Sequence, residues 1–567
     1  MFNHHKIKRI GILFLLAIFV SSAFGQLLDG SRVLYSEADS LRGALRPERS
    51  GYDVTFYELM LRIDTADKSI AGSNKIFFKA TDNIQRLQID LFANMVIDSI
   101  RWGNQTLSYE RKFNAVFVSF PIVFTPGMST FFEVFYHGKP IMAKRAPWDG
   151  GFTWTYDKEG LPWIGVSCEG IGASLWWPNK DHLSDEPDSM RIVCTVPGNL
   201  MFVGNGSMES HYRNTDQTHT YSWKVNYPIN NYNVTLNIGN YVEIFDEYDA
   251  RDESILSLVY YVLPYNIQKA KQHFVQVKPM LRCYEDFLGK YPFWEDGYAL
   301  VETPYLGMEH QGAIAYGNQY KRGYNGFDYS RIGLNFDYII IHETGHEWWG
   351  NSVSCKDMAD LWIHEGFCTY SEAIYTECLH GYDTALLYIN AKKNQVGNKK
   401  PIQGNYEVNE EGDGDMYNKG MLMLHTLRHA VNDDKKWWAL IKCIADTAFR
   451  HKTTDAAEII EFIGTYLGKD VTPFFKQYLK QADIPVLEYM VKRKKGRNMV
   501  RCRWKCAEPD FTLPVYYGGT YGKPAGKIEP TTNYHDFVLG SGKEKKTQWR
   551  TELGYFDIKE IPWNDKK

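Results

Sequence analysis

An apolar run, Tyr338 to Ile341, leads straight into His342-Glu343-Thr344-Gly345-His346, and this short stretch limits the fold more than any other part of the chain. Residues four apart on an α-helix lie above one another on one face, so His342 and His346 can grip a single metal ion. Glu343 sits about a hundred degrees further round, beside such an ion and within reach of a water. A histidine pair also occurs on ordinary surface helices, so a third ligand decides. No third histidine follows closely: Trp349 and Ser352 stand where that layout requires glycine and histidine. Instead "ADLWIHEGFCTYSEAIY" reads as a second helix presenting Glu365, with eighteen residues between it and His346. Two histidines and one carboxylate leave a coordination position open, which marks a catalytic zinc site over a closed structural one. One Zn2+ per chain, held by His342, His346 and Glu365, is the expectation. His364 should point elsewhere, as a supporting or surface residue. Gly345 marks close approach of a neighbouring element, and the two tryptophans of "HEWWGN" read as packing.

The rest of the chain supplies a frame for such a site. From Tyr52 to about Val262 the text alternates apolar and polar residues and is rich in β-formers, as in "YDVTFYELMLRID", "NKIFFKA", "LQIDLF", "AVFVSF", "RIVCTVP" and "TYSWKV". The pattern then changes. Ala270, Phe274, Val277, Leu281 and Tyr284 recur at helical spacing, predicting one amphipathic helix from near Asn266 to Gly289. Helical patterns dominate to about Tyr478, and a β-rich stretch from "VLEYMVKRKK" onward is long enough for a small sandwich. The expected fold class is a multidomain α+β protein with an N-terminal β-rich domain, a mainly helical catalytic domain and a small C-terminal β-sandwich. The expected divisions are 1–25 as signal peptide, 26–264, 265–484 and 485–567.

The signal-peptide reading rests on Lys6, Lys8 and Arg9 ahead of "GILFLLAIFV", an apolar core short for a bilayer span, and on Ala23 and Gly25 as a small-x-small cleavage site before Gln26. Export to a periplasmic or extracellular location follows, with no membrane segment in the mature chain. The nine cysteines are scattered, so mostly buried thiols with some disulfides are expected; Cys502 and Cys506 are too far apart along a straight strand to bond. A net charge of -4 argues against a nucleic-acid partner. The acidic loop "NEEGDGD", Asn409 to Asp415, reads as a solvated turn close to the site residues.

His342, Glu343, His346 and Glu365, with "EWWGN" and "EGFCTYSE" around them, resemble the zinc aminopeptidases of the aminopeptidase N and leukotriene hydrolase family. That resemblance implies a thermolysin-like (gluzincin) catalytic domain behind a β-rich saddle domain, and it runs from about Tyr52 to Gly518. It also implies further site residues. The family's Gly-x-Met-Glu-Asn loop corresponds to "YLGMEHQGAIAYG": Met308 and Glu309 match, Leu306 replaces the first glycine, Gly307 follows it, and His310 replaces the asparagine. Glu309, with Gly307 and Met308 around it, is thereby expected to bind the substrate's α-ammonium. Glu169, nine residues before Pro178, resembles a second amine-binding group. Tyr417, in "MYNKGMLMLHTL", resembles the tyrosine of a Tyr-Glu-Lys-Gly segment that stabilises the oxyanion.

The resemblance implies a zinc-dependent aminopeptidase that hydrolyses N-terminal residues from peptides with a free N-terminus. Glu343 is the expected general base toward a zinc-activated water, and Tyr417 the oxyanion donor. A zinc endopeptidase and a catalytically silent peptide-binding scaffold are the alternatives, and likeness to leukotriene hydrolase adds an epoxide-hydrolase side activity that no residue specifies. The sequence is compatible with an oligomer without specifying one. It ends soon after the small β segment, without the helical domain larger members add, so a more open cleft is expected unless dimerisation closes it.

Overall fold

Tyr52–Asp64 alternates as its sequence requires, and in the computed structural model, which describes residues 35–494, 497–539 and 547–563, it is a single strand. It lies within an eight-stranded sheet, antiparallel to Ser69–Ala80 and parallel to Ser189–Pro197. A four-stranded and a three-stranded sheet complete the N-terminal β region, and the inward residues of all three pack into one apolar core around Leu59, Ile76, Phe132 and Trp177. The expected signal peptide and the start at Gln26 lie outside the described residues.

A five-stranded sheet joins this region to the helices. Its order is Val242–Asp249, Ile255–Val262, Tyr298–Glu302, Ile314–Tyr316 and, at the edge, Gly307–Met308. The first two strands precede residue 264, so one sheet runs across the boundary expected there. Its side chains alternate between two cores. Leu258, Tyr260, Leu300, Ile314 and Tyr316 face the helical core, whereas Tyr261, Val301, Ala315 and Met308 join the core of the β region. Both faces are therefore buried, and the edge strand Gly307–Met308 is positioned by packing from either side.

The helix expected from Asn266 to Gly289 is two helices, Ile267–His273 and Val277–Leu288, separated by a 3-10 turn at Phe274–Gln276. Pro279 accounts for the break. It lacks the N–H that a continuous helix would direct at the carbonyl of Val275, four residues earlier. Gly289, at φ +102°, ends the second helix.

Tyr338–Gly345 begins at Asp337, whose carboxylate accepts from the backbone N–H of Ile339 at 2.9 Å and of Ile340 at 3.4 Å. The long helix Trp362–His380 packs against it and against Asn418–Val431. Two glycines set the second contact: a Cβ on Gly420 would lie 2.7 Å from the Gly366 Cα. That approach brings Glu365, just before Gly366, against Tyr417, three residues before Gly420. The C-terminal part holds a four-stranded and a two-stranded sheet, and its Leu487, Val500 and Trp504 belong to the same core as these helices. Cys283 and Cys378 form a disulfide, while Cys502 and Cys506 are free. No helix among the described residues is long and apolar enough to cross a membrane.

Gly420→Ala is expected to destabilise the protein by about 1–3 kcal/mol, because backbone on both sides blocks relaxation. Chemical denaturation reads this as a lowered midpoint. Gly414→Ala is the control: its Cβ would meet no atom within 4 Å, and a shift of about 0.5 kcal/mol or less is expected.

Candidate active site

His342 lies in the last turn of Tyr338–Gly345, and His346 caps that helix while keeping helical backbone angles, φ -64° and ψ -21°. One-turn spacing is therefore preserved, and the two Nε2 atoms stand 3.3 Å apart. Glu365 Oε2 comes in from the Trp362–His380 helix, 3.5 Å from His342 Nε2 and 3.4 Å from His346 Nε2. These three atoms form a nearly equilateral triangle. Tetrahedral zinc with arms of about 2.0–2.1 Å spaces its ligand atoms by about 3.3–3.4 Å, so the residues present fit the ion. The other ring nitrogens are occupied. His342 Nδ1 is 2.8 Å from Glu372 Oε1, and His346 Nδ1 is 2.8 Å from the Trp349 carbonyl. Each partner is an acceptor, so each Nδ1 carries the proton and each Nε2 presents a lone pair to the triangle.

Buried charge points the same way. Glu365 is 2% exposed and its Oε2 has no hydrogen-bond partner, an arrangement costly unless a cation joins it. Burial lowers the pKa of both imidazoles, while Cys368 and the nearby carboxylates raise it, and the net direction is upward. Cys368 Sγ also lies close to both histidines, yet it donates to the His342 carbonyl at 2.9 Å and is satisfied there.

The neighbouring residues explain their identities. A Cβ at Gly345 would lie 2.9 Å from Cys368 Sγ, so the glycine lets the two site helices meet. Trp348 and Trp349 are fully buried packing residues. His364 is a supporting and not a surface residue: it is buried, its Nε2 accepts from the Cys355 N–H at 2.8 Å, and burial lowers its pKa to about 3.

A cavity of about 640 Å³ opens over the triangle and is lined by Glu169, Gly307, Met308, Glu309, Glu343 and Tyr417 together with His342, His346 and Glu365. All nine residues expected from the sequence thus converge. Glu343 is raised to about 7 by burial, opposed by the two histidines. Gly307 leaves the room it occupies, since a Cβ there would lie 2.7 Å from Glu343 Oε1. Met308 pairs with Ala315 and Gly307 with Tyr316, so the altered loop retains an edge strand. His310, in place of asparagine, is buried with neither ring nitrogen partnered, and burial lowers its pKa to about 3.

Glu309 is 3% exposed, its Oε1 has no partner, and its carbonyl accepts from Asn351 Nδ2 at 2.8 Å. Glu169 Oε1 is likewise unpartnered, just before a turn that carries Gly170 and Gly172. Burial raises both carboxyls, and their mutual repulsion adds to the rise at Glu169. The Tyr417 ring lies 6.0 Å from that of His342, and burial and the Glu365 charge keep the phenol protonated. Lys419 turns away, donating to the carbonyls of Gln481 and Ala482 at 2.8 Å each. The sequence reading passed over Glu372, Asn351 and Tyr338, whose ring stacks 5.1 Å from His342. Glu372 had a signal: it lies seven residues after Glu365, on the same helix face.

Two histidines and one carboxylate in this geometry fit a single zinc ion with one coordination position left open. The description "Peptidase family M1 domain" matches residues 273–478. The chain is 22% identical over 446 residues to probable aminopeptidase 2 of Sulfurisphaera tokodaii, covering 76% of this chain and 54% of that protein. It is 22% identical over 280 residues to leucyl aminopeptidase of Saccharolobus solfataricus, covering 47% and 34%. It thus spans about half or less of these relatives' length. Among solved structures, the M1 zinc metallopeptidase of Deinococcus radiodurans bound to a Tyr-Ser-Ala substrate shares the fold at a TM-score of 0.64 and 20% identity, over 76% of this chain and 95% of that one. Residues 273–478 thus resemble an M1 peptidase domain, and the chain shares the fold of an M1 zinc metallopeptidase.

Glu372→Gln is expected to weaken zinc binding by about 10–100-fold, because it removes the acceptor that orients His342. Competition against a chromophoric chelator measures this, and an affinity unchanged within error would assign Glu372 a packing role only.

Proposed function

We propose that this chain is an aminopeptidase that removes single residues from the free N-terminus of peptides. One observation carries the reading: beyond the metal-binding triangle the cleft holds two carboxylates with unpartnered oxygens, Glu309 and Glu169. An α-ammonium donates to both, and its distance from the triangle restricts cleavage to the first peptide bond. The edge strand Gly307–Met308 offers backbone groups to an extended peptide.

Zinc held by His342, His346 and Glu365 supplies Lewis-acid polarisation when bound. Glu343 accepts the proton of the attacking water and passes it to the leaving amine. Tyr417, protonated beside Glu365, donates to the oxyanion as the tetrahedral centre forms. Peptides with a free N-terminus are the proposed substrates. Export is proposed as well, on Lys6, Lys8, Arg9 and the apolar run that follows; a secretion reporter fused to residues 1–30 tests it.

Glu343→Gln is expected to leave zinc bound while abolishing turnover. Tyr417→Phe should lower kcat by about 10²–10³-fold with KM little changed. Mass spectrometry of a decapeptide digest should show a ladder of single-residue losses from the N-terminus. Internal fragments as first products would instead identify an endopeptidase.

A further inference from the structure

Two carboxylates that share one amine repel each other until the amine arrives. Burial raises the Glu169 carboxyl, and the charge of Glu309 raises it further. Such a pair stays together only if the backbone behind each member is fixed. Asn351 fixes Glu309. Glu169 leads into a turn that closes on itself: the Ile171 N–H donates to the Glu169 carbonyl and the Gly172 N–H to the Cys168 carbonyl, each at 2.7 Å. The Gly170 carbonyl, next to Glu169, is held from outside the turn. It accepts from Arg42 Nη2 at 2.8 Å and from Asn409 Nδ2 at 3.2 Å.

Arg42 belongs to the short helix Glu37–Gly43, which precedes the first strand and is itself well anchored. The fully buried Arg49 donates through Nη1 to the carbonyls of Arg42 and Ala44 at 2.6 and 3.2 Å, and through Nη2 to Asp90 at 2.7 Å. Gln88 Nε2 donates to the Leu41 carbonyl at 2.9 Å. Arg42 therefore projects from a fixed base. Two glycines shape what it meets. A Cβ at Gly172 would lie 2.5 Å from Arg42 Nη2, so the guanidinium fills the space beside the turn. A Cβ at Gly43 would lie 2.3 Å from the Asn409 backbone nitrogen, so the helix ends flat against the loop that supplies the second donor. Three distant parts of the chain thus meet at one carbonyl oxygen beside Glu169.

Resting on the aminopeptidase reading above, we propose that Arg42 is a positioning residue: it holds the Glu169 turn against the repulsion of Glu309 and thereby sets the affinity for the substrate's α-ammonium. Arg42 does not itself line the cleft, so it acts through Glu169. Without it the Gly170 carbonyl keeps one donor, and Glu169 relaxes away from Glu309. The amine then meets one well-placed carboxylate in place of two. His342, His346 and Glu365 stand on other elements and keep their geometry, so binding is lost and the chemical step is not.

Arg42→Met tests this on the zinc-loaded full chain, since methionine keeps part of the apolar stem and removes the donors. For a peptide with a free N-terminus, KM should rise about tenfold, the worth of one hydrogen bond from a charged group, with kcat changed by less than about twofold. A purely structural role would lower kcat through the active fraction and leave KM alone. In a Glu169→Gln background Arg42→Met should move KM by less than about twofold, because its route to the amine is gone; additive effects would overturn the proposal. Lys112→Met, which removes the surface ion pair of the same helix with Glu37, should move KM by less than about twofold. Should Arg42→Met fail to fold, Asn409→Ala removes the other donor to the same carbonyl: KM should rise about threefold or more, and an unchanged KM would overturn the proposal. A wild-type chain that cleaves free and acetylated peptides equally overturns the aminopeptidase reading and this inference with it. Wild-type discrimination between them, with KM unmoved by Arg42→Met, overturns this inference alone.

Discussion

A buried carboxylate oxygen without a hydrogen bond, Glu365 Oε2, held about 3.4–3.5 Å from two imidazole nitrogens, is the interaction on which the site depends. Left alone it would cost several kcal/mol. A divalent ion in the triangle turns the cost into binding. Everything nearby serves that geometry: Asp337 starts the first helix, Gly345 lets the second come close, and Glu372 and the Trp349 carbonyl set the tautomers. The Gly366–Gly420 contact then brings Tyr417 to the same centre.

The five-stranded sheet gives the site its second half. Because its two faces are buried in different cores, the strand Gly307–Met308 cannot move without disturbing both. Glu309 follows that strand directly and is pinned by Asn351, five residues after His346, with Asn233 of the β region donating to Asn351 Oδ1 at 2.6 Å. Glu309 is thereby referenced to the metal helix through one asparagine. Glu309 and the metal triangle share a single rigid frame.

Much of this was legible in the sequence, for identifiable reasons. The metal ligands follow from a helical period, which is local. Gly307, Met308, Glu309 and Tyr417 were found through resemblance to a family motif, and the structure gives the physical grounds: a missing Cβ makes room for Glu343, and Gly420 makes room for Gly366. Other features were hidden because they are not local. The strands Val242–Asp249 and Ile255–Val262 alternate like those before them, so no residue reveals that they join the sheet of the next region. The break at Phe274–Gln276 hid because apolar spacing continued through Pro279.

The central claim is that the carboxylates beyond the metal site recognise a free α-ammonium. The most direct measurement compares kcat/KM for one peptide with a free N-terminus and the same peptide N-acetylated, on the zinc-loaded protein. The account predicts a loss of about 10³-fold or more on acetylation, since the cap removes the charge that Glu309 and Glu169 bind and leaves both buried and unpaired. Equal cleavage of the two peptides would contradict it.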